Sequence, residues 1–366
     1  MRLKIFSSKE YLPDGCMPVQ LLEPFWPGQS IEGHQEMNLQ FGRLDKYSQA
    51  AKHIFELTGI EDANIGVFPG PWEICRSAQG VLKLGAFLSL CNQYGKKAVV
   101  FVGGDLLADV PFKDVILFHT SLYASTRQPT HFGMPAFVDD LVTKHFDGKL
   151  PLKTKAKTPT IGFCGTAPPL AMPVGKKRVK ERLRLIVYCL GLLKYRPHLS
   201  GYSPRAKAIK RLLKSKKITS NIILKHFSPI KWAYGFLLPN EGFEFKKNRD
   251  EFIKNLLEND YILCVRGNGN YSLRLYETLC VGRIPVIVNT GIVLPYEAEL
   301  PWKEFCVWVE EKDIDKVDEI VLDFHRKLTK EAYLQMQKKC RVVWENWLSS
   351  AGFFNHFYMH FIDDTK

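Results

Sequence analysis

The residues best suited to chemistry lie in one run, NDYILCVRGNGNYSLRLYETLCVGRIPVIVNTGIVLPYEAELPW, from Asn259 to Trp302. Tyr261 to Val265 read as a buried strand and Arg266-Gly267-Asn268-Gly269-Asn270 as a loop whose two glycines allow backbone geometries closed to other residues. Ser272 is placed to cap a helix running to Cys280. A strand, a glycine loop and a helix start together present unpaired N–H groups and the positive end of a helix dipole, an arrangement that holds phosphate. Arg274 and Glu277 are three residues apart and share one face of that helix. There the guanidinium can reach phosphate oxygens, and the carboxylate can accept hydrogen bonds from ribose hydroxyls. The same spacing also suits a surface ion pair with no ligand. The loop is neither G-x-G-x-x-G nor a Walker sequence, so its spacing alone does not name what it binds.

The surrounding pattern supplies elements to position these residues. Short apolar or β-branched runs recur at LKIF near Leu3, NIGVF at Asn64, KAVVFVG at Lys97, DVILFH at Asp114 and TIGFCG at Thr160. Between the early ones, Tyr47 to Thr58 and Gln79 to Tyr94 carry helical spacing and end at the turn signals Gly59 and Gly95. Strands alternating with helices imply βαβ units and parallel sheets. The stretch GKLPLKTKAKTP, Gly148 to Pro159, reads as an exposed linker. After it come TIGFCGT, a long basic helix around Lys176 to Leu193, NIILKHF, a helix from Lys247 to Asn259, YILCV and IPVIV. We therefore expect an α/β fold with one domain over 1–156, a second over 157–340, and a helical, aromatic-rich tail over 341–366 that packs into the core. The segment Gly201 to Asn240 offers no transferable motif.

Composition sets the outer bounds. With 366 residues, 46% hydrophobic and 24% charged, the chain can build two cores. No run approaches the roughly 20 apolar residues of a membrane-spanning helix, and MRLKIFSSKE breaks its apolar run too early for a signal peptide. A cytoplasmic protein is expected. The nine cysteines stand singly, without C-x-x-C or metal-site spacing, and read as reduced core residues. The 51 Lys and Arg against 38 Asp and Glu give a formal charge of +13, much of it between Lys153 and Lys217. That face suits nucleotide phosphates or anionic lipid, and no nucleic-acid-binding signature accompanies it.

The run CVRGNGNYSLRLYETLCVGRIPVIV, followed by LPY and PW, resembles the C-terminal signature of exostosin-like glycosyltransferases. More loosely, GKKAVVFVGGD, DVILFHTS and MPAF resemble that family's N-terminal half, and TIGFCG the strand opening its second domain. The resemblance implies a GT-B fold: two facing Rossmann-like domains, the C-terminal one holding the donor, with a C-terminal helix crossing back. By carry-over, Arg274 matches the diphosphate-binding Arg and Glu277 the ribose-binding Glu, with Arg266, Gly267, Asn270 and Ser272 on the phosphate side. It further implies an inverting transfer from a nucleotide sugar, most naturally UDP-linked, to a hydroxyl of a glycan or lipid-linked glycan. Members of this fold hold the departing diphosphate with side-chain cations and a helix end, so no metal or other cofactor is expected; Asp313-Ile314-Asp315 lies in a charged helix start. An inverting transfer needs a base at the acceptor hydroxyl, and Asp105, His119, Glu73 and His34 are the candidates in that order. Two other readings are a catalytically silent sugar-nucleotide- or glycan-binding module of the same fold, and a basic nucleic-acid-binding protein on a Rossmann core.

Overall fold

The computed structural model describes residues 2–26, 42–105, 110–167, 176–193, 204–225 and 241–361, a few of them in 176–189 and 241–246 by backbone alone. His34 lies outside the described residues. The first sheet contains β1 (Leu3–Phe6), β2 (Phe55–Leu57), β3 (Ile65–Val67), β4 (Lys97–Val102), β5 (Ile116–His119) and β6 (His131–Gly133). The second contains β7 (Thr160–Gly165), β8 (Thr219–Leu224), β9 (Tyr261–Cys264), β10 (Ile284–Asn289) and β11 (Val307–Glu310). Every pairing is parallel. Parallel strands are covered by helices on both faces, and this is why β9 and nearly all of β5 and β10 are unbroken buried apolar runs.

The strand orders are β2-β1-β3-β4-β5-β6 and β8-β7-β9-β10-β11. Both begin with the doubly wound order in which the chain reverses direction across the sheet after its second strand. Ligands of such sheets bind at that reversal, beyond the carboxyl ends of the strands. The reversal falls between β1 and β3 in the first domain, and between β7 and β9 in the second.

Two Rossmann-like domains with C-terminal helices crossing back form the expected GT-B architecture. The crossing is made by the helices Lys330–Val343 and Ser350–Asn355 and the turns after each. Phe353, Phe354 and Phe357 are buried against Tyr47, Phe55, Phe101 and Phe118 of the first domain. Each such burial contributes roughly 2 kcal/mol. The anchor is electrostatic as well: both terminal nitrogens of Arg341 donate to Asp140, at 2.8 and 2.9 Å, and hold its carboxyl well below the usual range. Among the described residues no helix is long and apolar enough to cross a membrane, and eight cysteines are free thiols, seven of them buried.

Several local expectations need correcting. The helix read through Thr58 ends at Ile54, because Phe55–Leu57 pairs with β1 as a short strand. The sequence keeps its helical spacing there, and only the neighbouring strand decides. The stretch Gly148–Pro159 is not a free linker. Gln337 both donates to Lys153 O (2.7 Å) and accepts from Lys153 N (2.9 Å), Arg283 donates to Pro151 O (2.7 Å), and a His325 ring nitrogen meets Ala156 O (2.8 Å). Second-domain side chains strap it down.

Candidate active site

The carboxyl ends of β7 and β9 flank the site. After β9 the chain runs through the loop Val265–Tyr271 into the helix Leu273–Cys280, whose N-terminus faces an open cleft. The cleft is lined by Asp105, Arg205, Gly267, Tyr271, Ser272, Leu273, Arg274 and Glu277. Ser272 occupies the N-cap position with extended backbone, but its side chain makes no capping bond. The first N–H groups of the helix, which have no intrahelical partner, stay uncapped by it at the cleft.

Arg274 lies over the Phe163 ring, 4.2 Å from its centroid, and donates from Nη2 to Cys164 O at 2.6 Å. It is fixed against the end of β7. Gly165, at φ +150°, permits this, since a Cβ there would sit 2.5 Å from Arg274 Nη2. Arg205, from the helix Pro204–Lys214, spans the same reversal: it donates to Thr166 O (2.7 Å) after β7 and to Val265 O (2.9 Å) after β9. Burial, with Arg274 and Arg266 nearby, pushes the Arg205 guanidinium down to about 9, partly offset by Asp105. It stays charged at neutral pH. Arg205, Arg266 and Arg274 each also keep a buried Nε–H without a hydrogen-bond partner. Three guanidiniums so placed repel one another and leave donors unmatched, and a polyanion would relieve both.

Glu277 is buried and accepts from Arg249 Nη1 at 2.6 Å, from the helix Glu241–Glu258. It does not pair with Arg274, so the surface ion pair that the spacing also allowed is not formed. Its carboxylate lines the cleft one turn beyond Arg274 with its orientation set by Arg249.

Two expected phosphate-side residues serve the domain interface. The Asn270 side-chain amide donates to Leu122 O and Gly291 O, both at 3.1 Å, and accepts from Thr290 (2.7 Å), while its backbone N–H donates to Ser121 Oγ (2.6 Å). Fully buried, the Asn270 side chain has no donor left for a ligand. Arg266 donates to the Tyr123 hydroxyl at 2.6 Å and is buried. The loop glycines also act differently from expectation. Neither Gly267 nor Gly269 has positive φ. They permit close approach instead: a Cβ on Gly267 would lie 3.3 Å from Arg205 Nη2, and one on Gly269 would lie 2.8 Å from Ser121 Oγ and 2.9 Å from the Asp105 Cα.

From the first domain, Asp105 follows β4 and reaches the cleft, exposed, where it joins Tyr271 in the lining. Glu73 sits behind it, its Oε2 accepting from Gly103 N at 2.8 Å, and burial raises its carboxyl. It holds the Gly103–Asp105 turn. His119 does not fit a base: its Nδ1 already accepts from Ser121 N at 2.7 Å, which puts the ring proton on Nε2, and burial pushes the ring down to about 4. With its lone pair occupied, the neutral ring has nothing left to accept a proton.

Sequence reading missed Arg205 and Tyr271. Tyr271 stood inside the loop that was read. Arg205 lay in a segment without a motif, and its only signal was a basic residue beside Pro204 at a helix start.

Residues 214–324 match the family model of the Exostosin GT47 domain. Exostosin-1 of Drosophila melanogaster is 32% identical over 98 residues, which are 26% of this chain and 12% of that protein. A probable glucuronosyltransferase of Oryza sativa subsp. japonica is 46% identical over 61 residues, 17% of this chain and 14% of its own. A probable beta-1,4-xylosyltransferase of Arabidopsis thaliana is 43% identical over 61 residues, 17% and 15% of the respective chains. This chain thus spans about a seventh of the length of these relatives or less. Among solved structures, the catalytic domain of starch synthase IV from Arabidopsis thaliana, bound to ADP and acarbose, is 16% identical with a TM-score of 0.29, covering 82% of this chain and 56% of that one. The matched segment holds β8 to β11 and the cleft residues Gly267, Ser272, Arg274 and Glu277, and over it the chain is similar to the exostosin-type glycosyltransferase domain.

Proposed function

We propose that the chain transfers a sugar from a nucleotide diphosphate donor to an acceptor hydroxyl, with inversion at the anomeric carbon. The observation that carries this reading is the convergence of Arg205, Arg274 and the uncapped start of the helix Leu273–Cys280 on one cleft, with the Glu277 carboxylate one turn further and Asp105 opposite. The two guanidiniums and the helix N–H groups take the diphosphate, and Glu277 takes the ribose hydroxyls. In the transfer, Asp105 accepts the acceptor's proton as its oxygen forms the new bond to the anomeric carbon. The bond from that carbon to the phosphate oxygen breaks, and the charge developing on the diphosphate meets the guanidiniums and helix dipole.

In this reading the donor is UDP-linked, the acceptor is a glycan or lipid-linked glycan, and the enzyme works in the cytoplasm without nucleic acid. The two guanidiniums and the helix N-terminus at the diphosphate supply what a divalent metal would otherwise supply, so turnover needs no metal. The test is a melting experiment with UDP, GDP, dTDP and CMP, followed by UDP-sugar hydrolysis in EDTA. A UDP-specific rise in melting temperature with slow release of UDP supports the proposal. A rise without any release marks a silent binding module, and abolition of release by EDTA overturns the metal-free mechanism.

A further inference from the structure

The two basic helices of the second domain have the same kind of composition and opposite fates. In Pro204–Lys214 the apolar face, Ala206, Ala208, Ile209 and Leu212, is fully buried. Arg211 there donates to Asp318 at 2.6 Å and Lys217, just beyond, lies 2.8 Å from Glu319, so part of its charge is already answered within the fold. In Lys176–Cys189 three apolar residues stand exposed on one side. Val179, Leu183 and Ile186, with Leu190 just past the helix end, are 59, 55, 53 and 67% exposed. Their spacing of four, three and four residues places them on one narrow helical stripe. Leu192, after the turn at Gly191, is 72% exposed and lengthens the apolar surface.

Charge chooses the occupant. The helix KKRVKERLRLIVYC holds six Lys or Arg and one Glu, a net charge of +5, and Lys180 and Arg184 are exposed with the stripe. Pairing the stripe with a second copy would bring two such helices together against their mutual repulsion. A nucleic acid would answer the charge and leave the leucines in water. An anionic lipid surface answers both, with acyl chains for the stripe and headgroups for the cations. We propose that the helix Lys176–Cys189 lies in the plane of an anionic membrane surface, holding the protein there peripherally. The inference is independent of the donor cleft.

Co-sedimentation with vesicles tests it. The protein should bind phosphatidylcholine vesicles containing phosphatidylglycerol, release them as salt is raised, and ignore phosphatidylcholine alone. Lys180→Glu with Arg184→Glu should lower vesicle affinity by roughly 25-fold or more, at about fivefold per cation removed. Leu183→Ser with Ile186→Ser should lower it comparably. All four positions are exposed, so both variants should melt like the parent and keep the same UDP-induced shift, which separates this proposal from the donor site. Anionic binding that survives the serine variant overturns the proposal, as does equal binding to neutral vesicles. A concentration-dependent dimer that the serine variant abolishes, with vesicle binding intact, assigns the stripe to self-association instead.

Discussion

At the β7/β9 reversal of the second sheet, two guanidiniums and a helix N-terminus surround an open cleft, whereas at the β1/β3 reversal of the first sheet the chain fills the crevice with itself. There Ser7 Oγ donates to Val67 O at 2.8 Å, Val19 N donates to Pro69 O at 2.8 Å, and a Cβ on Gly70 would come within 2.4 Å of Cys75 Sγ and 3.4 Å of Leu12. The strand order around the two points is the same. Topology therefore offers two binding positions, and side chains decide which is used. The first domain's contribution comes from a different place, the turn after β4 that carries Asp105 into the other domain's cleft.

The comparison is broken most severely at Asp105. Asp105→Asn should reduce turnover roughly 100- to 10,000-fold while UDP affinity is kept, measured by product formation and by calorimetry side by side. Unchanged turnover would remove the first domain from the chemistry. Next in size, Arg274→Ala and Arg205→Ala should each weaken UDP binding by about 10- to 100-fold, the loss expected for a hydrogen bond to a charged group. If Arg205→Ala leaves affinity intact, the cleft relies on the helix start and Arg274 alone. Glu277→Gln should cost about tenfold in affinity for UDP and much less for inorganic diphosphate, which has no ribose; equal losses for both ligands would assign Glu277 to holding Arg249. The smallest effect belongs to the closed reversal, where Ser7→Ala should lower stability by about 1 kcal/mol in urea unfolding and leave UDP affinity untouched.

A pH dependence attaches to the element that joins the domains. The folded-state pKa of Asp140 is lowered, against the cost of burial, by Arg341, Lys46 and Thr143. A depressed carboxyl contributes stability above its unfolded pKa, near 4, and loses it as pH falls through the folded value. Acid titration of melting temperature should therefore show a loss below about pH 4 that Asp140→Asn removes.

Much of the second domain was legible because its signals are local. The strand, the glycine loop and the helix carrying Ser272, Arg274 and Glu277 are consecutive, and spacing along one short run fixes which side chains share a face. The strands β2, β6 and β11 left little trace: Phe55–Leu57 continues the helical spacing before it, and only its pairing with β1 marks it as a strand. The first domain's share of the cleft was only partly legible: Asp105 is one of four candidates in the sequence, and nothing in the sequence could show that the lone pair of His119 is taken by the Ser121 N–H.

By itself the sequence determined the alternation of strands and helices, the glycine loop between β9 and the next helix, and the placing of a cation and an acid one turn apart on the helix Leu273–Cys280. The tertiary structure decided what those residues meet. Arg205 joins the cleft from 60 residues before Val265, and Asn270 is drawn away from any ligand by Ser121, 149 residues earlier. Hydrogen-bond partners are exclusive, so whether a polar group is left for a substrate depends on every chain segment that packs beside it, and such packing is settled only when both domains are folded against each other.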